Sequence, residues 1–303
     1  MFGPTTAREF GSLAFKRLRE ALVKRKVSRG VVNDWCGLVK RITRWAVENE
    51  LPPADRWEVL RAVRGLTRGR TEAPEPEPVG PVLVVHVDRT APFLNPVVWA
   101  MARVQLFTGM RPGEICRIRP CEIDRNGSGW LFTPQHHKTK WKGRNRTIPI
   151  GKQAQEIPAA FSPDSPEAFY FNARQMVNES RSRRSSARRI QRYPSQIKRN
   201  DAKRKVNPQR HPAERYSTRS YSYAIARAVE KCNAALITAG VPVEDHLPHW
   251  SPNQFRHTFA TRVRKEYGLE AAQVMLDHAR ADVTQIYAER NLTIAVKVAT
   301  EIG

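Results

Sequence analysis

Three residues near the carboxyl end of the chain combine side-chain types that can do chemistry together: Arg256, His278 and Tyr287, spread over Ser251 to Asn291. A guanidinium stays charged at any working pH and offers two parallel donors to an oxyanion. An imidazole titrates near neutrality. A phenol can attack once its proton, with a usual pKa of about 10, has been removed. Brought to one point, the three suit displacement at a phosphate ester, which needs charge stabilisation, a nucleophile and an acid for the leaving oxygen. The segment carries the punctuation to position them. Ser251 opens a capping box, with Pro252 at the first helical position and Gln254 three residues after the cap. The spacing of Phe255, Phe259 and Val263 predicts one buried helical face that stops at Gly268. A second helix runs from Leu269 to Leu276 and ends at Asp277-His278; Asp282 caps a third that carries Tyr287. Each chemical group thus falls near a helix end or loop.

This arrangement resembles the C-terminal box of the tyrosine recombinases, the phage-integrase family, whose pattern is H-x-x-R-H, then L-G-H, then a tyrosine roughly nine residues on. Here it stands as Asn253-Gln-Phe-Arg256-His257, Leu276-Asp277-His278 and Tyr287, with Asn253 replacing the usual histidine and Asp277 the usual glycine. Upstream, the string TGMRPGEI (108–115) resembles the family's first-arginine box. The resemblance implies Arg111 as a second catalytic arginine and Glu114 as the acidic residue that supports it. The basic loop HHKTKWKGRNR (136–146) corresponds to a hairpin that delivers a lysine to the leaving oxygen; Lys138 is the first choice and Lys140 the second.

In the roles so implied, Arg111 and Arg256 bind the non-bridging oxygens and Tyr287 attacks phosphorus, giving a 3′-phosphotyrosyl link and a free 5′-hydroxyl that Lys138 protonates. Asparagine at 253 keeps a hydrogen-bond donor but cannot titrate, leaving proton transfer to His257, His278 or water. Aspartate at 277 tolerates unusual backbone dihedrals better than most residues, and a carboxylate beside His278 would favour the imidazolium. Bond energy is kept in the phosphotyrosine, so no cofactor or metal is expected. The implied fold is mainly α with a small antiparallel β-sheet: a tyrosine-recombinase-like catalytic domain preceded by a small helical DNA-binding domain. The implied function is site-specific recombination or integration, with a catalytically impaired DNA-binding relative or a type IB topoisomerase-like enzyme as the alternatives.

Composition agrees with a polyanionic partner: the 303 residues carry a net charge of +23. No apolar run approaches the ~18 residues that span a bilayer, and no signal peptide opens the chain, so a cytoplasmic, nucleoid-associated protein is expected. Four cysteines without metal-ligand spacing read as reduced thiols. Residues 1–70 read as a helical, DNA-binding module, possessing one apolar stripe of Phe15, Leu18 and Leu22 and another of Val32, Trp35, Val39, Ile42 and Ala46. Its basic residues, among them Lys16, Arg17, Arg29, Lys40, Arg41 and Arg44, read as an outer face. Residues 71–82 (TEAPEPEPVGPV) read as an extended linker. The catalytic domain follows over 83–303. It opens with a helix from Asn95-Pro96 to Gly109 and has strands at Cys121–Arg125, Trp130–Thr133 and Arg146–Ile150.

A basic insertion occupies about 176–215, with thirteen Lys or Arg between Arg181 and Arg215 against two acidic residues. Little apolar periodicity there suggests a mobile arm on the DNA backbone. Candidate DNA contacts are Lys140, Lys142 and Arg144 in the loop, and Arg183, Arg184, Arg188, Arg189, Lys203, Arg204 and Lys205 in the insertion. Regular structure is expected again from Tyr221. A last helix after Thr293, with Ile294, Val298 and Ile302 in one stripe, suits docking on a neighbouring copy, so a homo-oligomer (a tetramer on double-stranded DNA) is expected.

Overall fold

The computed structural model describes residues 3–127, 129–136, 143, 146–188, 190, 193–203, 213–277 and 281–287, without the side chains of Ala281, Ile286 and Tyr287. The chain divides into two compact units, Met1–Pro78 and Val79–Gly303.

The first unit holds helices α1 (Ser12–Lys24), α2 (Arg29–Glu48) and α3 (Asp55–Arg61). They close over Phe15, Leu22, Val32, Cys36, Leu60 and Val63. The stripe expected on α2 is only partly inside: Val32 is buried, Trp35 and Ile42 are exposed, and Cys36 fills the inner position. The helix has two adjacent apolar faces, and only the one turned to α1 and α3 is covered; periodicity alone cannot choose between them. Two basic residues read as outer also serve the fold. Lys40 donates to the Val63 carbonyl at 2.5 Å, and Arg29 pairs with Glu75. Lys16, Arg17, Lys24, Arg25, Lys26, Arg41 and Arg44 are exposed. The stretch 71–82 has neither helix nor strand, yet both its ends are tied. Pro74 accepts from the Arg29 amide (3.1 Å), and Val82 N–H donates to the Thr258 hydroxyl (3.0 Å).

The second unit is mainly helical around one small sheet. Helices α4 (Val84–Thr90), α5 (Pro96–Thr108) and α6 (Pro112–Ile115) precede strands β1 (Ile123–Asp124), β2 (Trp130–Phe132) and β3 (Ile148–Ile150). The strands form an antiparallel sheet in the order β1-β2-β3, with Trp130 opposite Ile150 and Phe132 opposite Ile148. Then come α7 (Lys152–Ala159), α8 (Ala173–Ser186), α9 (Pro194–Ala202), α10 (Thr218–Thr238), α11 (Gln254–Leu276) and α12 (Ala281–Tyr287). The core gathers Met101, Val104, Ile115, Phe132, Ile148, Ile150, Tyr221, Ile225 and Trp250, all fully or almost fully buried. Among the described residues no helix is long and apolar enough to cross a membrane, and all four cysteines are free.

The basic insertion differs from an arm without regular structure. Much of it is α8 and α9, whose surfaces are largely exposed. Asn172 caps α8 by accepting from the Arg174 and Gln175 amides, and Pro194 starts α9. Arginine, lysine and glutamine are good helix formers, so a charged segment can be helical without an apolar face.

Two helix starts shift by one or two residues. α11 begins at Gln254; the Gln254 side chain accepts from the Ser251 amide (2.9 Å) while residues 252–253 form a turn. Asp282 lies inside α12, where its carboxylate accepts from the Val283 amide (2.9 Å), instead of at the cap.

Candidate active site

Helix α5 delivers the first arginine. Asn95 caps it by accepting from the Val98 amide (2.9 Å), and Pro96 supplies a pre-set φ at the first position. The helix ends at Gly109 in the left-handed region (φ 63°). Glycine is required there twice over: a Cβ would sit 2.4 Å from Cδ1 of Phe259, on α11. Two residues later Arg111 stands at the start of α6. Its own amide donates to Glu114 Oε2 (2.7 Å) and its Nη1 to Oε1 (2.9 Å). The Glu114 side chain is 6 % exposed and that of Arg111 35 %, so the carboxylate is a buried brace for a guanidinium that reaches solvent.

A second arginine completes that brace. Arg146, 1 % exposed, donates from Nε and Nη2 to the two Glu114 oxygens (2.6 and 3.2 Å). Its Nη1 donates to the Leu276 carbonyl (3.0 Å) and lies 3.3 Å from Asp277 Oδ2. Burial alone would raise the Glu114 carboxyl, but the charges of Arg146 and Arg111 outweigh it and hold the group below its ordinary value.

Arg256, on the first turn of α11, is also 1 % exposed. It donates to the Gly109 carbonyl through Nη1 (2.8 Å) and to the Leu276 carbonyl through Nη2 (2.6 Å). Trp250 anchors this end of the helix, packing edge-on against Phe255 with ring centroids 5.1 Å apart. His257 is buried beside Arg256 in the chain. Asn253 is exposed at the helix N-cap, and its side chain makes no capping bond. α11 breaks at Gly268 (φ 87°, ψ 175°), and its two halves fold together over Phe259, Val263, Ala272 and Leu276. It ends at Asp277 in the left-handed conformation (φ 52°, ψ 49°).

A continuous bonded path therefore runs Arg111–Glu114–Arg146–Leu276 carbonyl–Arg256. Among the described residues this path joins three guanidiniums, of which Arg111 and Arg146 pair with the Glu114 and Asp277 carboxylates and Arg256 bonds two carbonyls. The Asp277 carboxylate is engaged by Arg146, and its expected effect on His278 lies outside the described residues. Tyr287 is the last residue of α12, which packs against α11. Lys138, Lys140, Lys142, Arg144, Arg189, Arg204, Lys205, His278 and the stretch 288–303 lie outside the described residues. Arg183, Arg184, Arg188 and Lys203 are exposed on and beside α8 and α9. Sequence pattern does not single out Arg146, because it is one of several basic residues between 138 and 146 and nothing in its spacing marks it as the buried one. Among the described residues no cluster of His, Cys, Asp or Glu could hold a metal ion.

The model of the phage integrase family matches residues 97–293. The Tn1549 transposon integrase, solved with a circular intermediate DNA, superposes with a TM-score of 0.61 at 14 % identity, over 97 % of this chain and 85 % of that one. A lambda integrase dimer bound to a COC′ core site gives a TM-score of 0.59 at 12 % identity, over 93 % and 81 %. At such identities the likeness is one of fold. No curated protein matches the sequence.

Proposed function

The chain belongs to the phage integrase family, and from that premise we propose that it is a site-specific DNA recombinase that cuts and rejoins strands through a phosphotyrosyl intermediate at Tyr287. The observation that carries the reading is the linked pair of arginines. Arg111 and Arg256 are held, before any substrate arrives, by one chain of hydrogen bonds through Glu114, Arg146 and the Leu276 carbonyl. Preorganised donors of this kind stabilise charge that develops in a transition state without reorganisation at the moment of reaction.

In the cleavage step, the Tyr287 oxygen forms a bond to phosphorus as the bond to the 5′-oxygen breaks. The phenolic proton passes to His257, His278 or water, and Lys138 protonates the departing 5′-oxygen. Arg111 and Arg256 bind the non-bridging oxygens, with Asn253 as a further neutral donor from the start of α11. The reverse attack by a 5′-hydroxyl rejoins the strand, so the phosphodiester energy is conserved.

The partner is double-stranded DNA. Residues 1–70 act as a helical module against the phosphate backbone, with exposed Lys16, Arg17, Arg41 and Arg44 as its contacts. Residues 83–303 act as the catalytic domain, and residues 71–82 join the two. Lys140, Lys142 and Arg144, together with the basic residues of α8, α9 and their flanks, add phosphate contacts. Copies assemble on DNA, as a tetramer, through the segment after Tyr287.

The test is a nicked suicide substrate. The wild-type chain should give a covalent protein–DNA adduct, and Tyr287→Phe should give none while binding DNA with nearly unchanged affinity. An adduct that persists in Tyr287→Phe places the nucleophile elsewhere.

A further inference from the structure

We propose that Arg146 is a positioning residue of the cleavage site, anchored at its far end by Asp277, that sets the separation of the two phosphate-binding arginines; this rests on the strand-cleavage reading above. The Arg146 fork is divided between two acceptors. Nε and Nη2 are committed to Glu114 on α6, and Nη1 to the Leu276 carbonyl and the Asp277 carboxylate at the end of α11. One planar group thus joins two elements remote from each other in sequence. Both of its main acceptors are shared. Glu114 Oε1 also receives Arg111, and the Leu276 carbonyl also receives Arg256. Moving Arg146 therefore moves the partner atoms of both arginines at once.

Place in the chain adds a third connection. Arg146 is the last residue of the basic loop that contains Lys138, and it leads into β3. The Leu276 carbonyl and Asp277 immediately precede His278. The residue therefore ties together the roots of the lysine loop, the first-arginine turn and the histidine turn. It is 1 % exposed, so water cannot take over its bonds. A lysine would keep the charge, but a single ammonium cannot span both acceptor groups in this geometry.

Asp277 offers a probe that does not disturb the core. Its side chain is 42 % exposed, and asparagine tolerates the same left-handed backbone. Asp277→Asn therefore removes the charge and little else.

The experiment measures single-turnover cleavage of the suicide substrate at saturating DNA, together with DNA affinity and thermal melts, on the full chain. A misplacement of about 1 Å can cost on the order of 10²-fold in rate. Arg146→Lys should accordingly slow cleavage by roughly 30- to 100-fold, with DNA affinity within about 3-fold. Asp277→Asn should slow it by roughly 3- to 10-fold and add nothing further in the Arg146→Lys background, because both act on one contact. Cleavage by Arg146→Lys at the wild-type rate, parallel loss of rate and affinity, or losses that multiply would each overturn the proposal. If Arg146→Lys fails to fold, Asp277→Asn decides: slower cleavage with unchanged melt and affinity supports the proposal, and an unchanged rate overturns it. Absence of an adduct with the wild-type chain would sink the cleavage reading and this inference with it. Wild-type cleavage with unaffected variants sinks this inference alone.

Discussion

Gly109→Ala is the sharpest single test of how the site is built. Alanine there meets two penalties. The left-handed backbone (φ 63°) costs a non-glycine residue roughly 1–2 kcal/mol. The new Cβ would lie 2.4 Å from Cδ1 of Phe259 and 3.0 Å from its Cγ, so the root of the ring must shift. Overpacking of this kind costs about 1–3 kcal/mol. Together the penalties come to about 2–5 kcal/mol, which in a unit of this size lowers Tm by roughly 5–15 °C. The Gly109 carbonyl also accepts from Arg256 Nη1 at 2.8 Å, so the shift displaces the guanidinium. Cleavage by the molecules that remain folded should fall by on the order of 10²-fold. Calorimetry and single-turnover cleavage below the melt give the two numbers. A Phe259→Ala background separates the causes: there the clash is gone, and Gly109→Ala should cost only about 1–2 kcal/mol. A melt within about 2 °C of wild type with full cleavage would refute this account of Gly109. So would an undiminished cost in the Phe259→Ala background, which would remove the ring contact from it.

Three further outcomes are expected. Because the Asn253 side chain is exposed and makes no capping bond, Asn253→Ala should change stability by less than about 1 kcal/mol. It should still slow cleavage by roughly one to two orders of magnitude if the amide meets the phosphate, while Asn253→His should restore activity with a new pH limb near about 6.5; an unimpaired Ala variant removes Asn253 from the site. Replacing exposed Arg183, Arg184, Arg188 and Lys203 by alanine should flatten the slope of log affinity against log salt by about 0.9 for each of these cations that meets a phosphate in the wild-type complex, and an unchanged slope means that α8 and α9 face away from DNA. The Glu114 carboxyl is held below its ordinary value of 4.5, so its contribution to stability is complete above that pH and is lost as pH falls through the lower folded value. Glu114→Gln should be less stable at neutral pH and show a shallower acid limb in denaturant titrations, and an equally steep limb would assign acid unfolding to other carboxylates.

The parts of the molecule legible in the sequence are those with local causes. Asn95, Pro96 and Gly109 bound α5 because a cap, a fixed φ and a left-handed stop are decided within a few residues. The break at Gly268 and the three strands follow from equally local patterns. What depends on distant partners is not legible there. Trp35 and Ile42 look like core until the covered face of α2 is known. α8 and α9 lack the apolar face that announces a packed helix. Arg146 is one basic residue among several, and only the approach of Glu114 and Leu276, 32 and 130 positions away, distinguishes it.

Asp277 shows why such a residue is hard to interpret from stability alone. A left-handed turn asks for glycine, and a non-glycine residue there costs roughly 1–2 kcal/mol, less for aspartate than for most. Its half-exposed pairing with Arg146 returns at most about 1 kcal/mol. The two nearly cancel, so Asp277→Gly should leave the melt almost unchanged even though it deletes a charge from the site. The effect of that charge lies in geometry: the carboxylate holds the outer edge of the Arg146 fork, and the inner edge holds Glu114. Conformation and charge at 277 are therefore separable, since glycine keeps the turn without the carboxylate and asparagine keeps the polar side chain without the charge. If both variants cleave more slowly at unchanged stability, the carboxylate acts on the site. If glycine alone differs from wild type, the polar side chain acts and its charge does not.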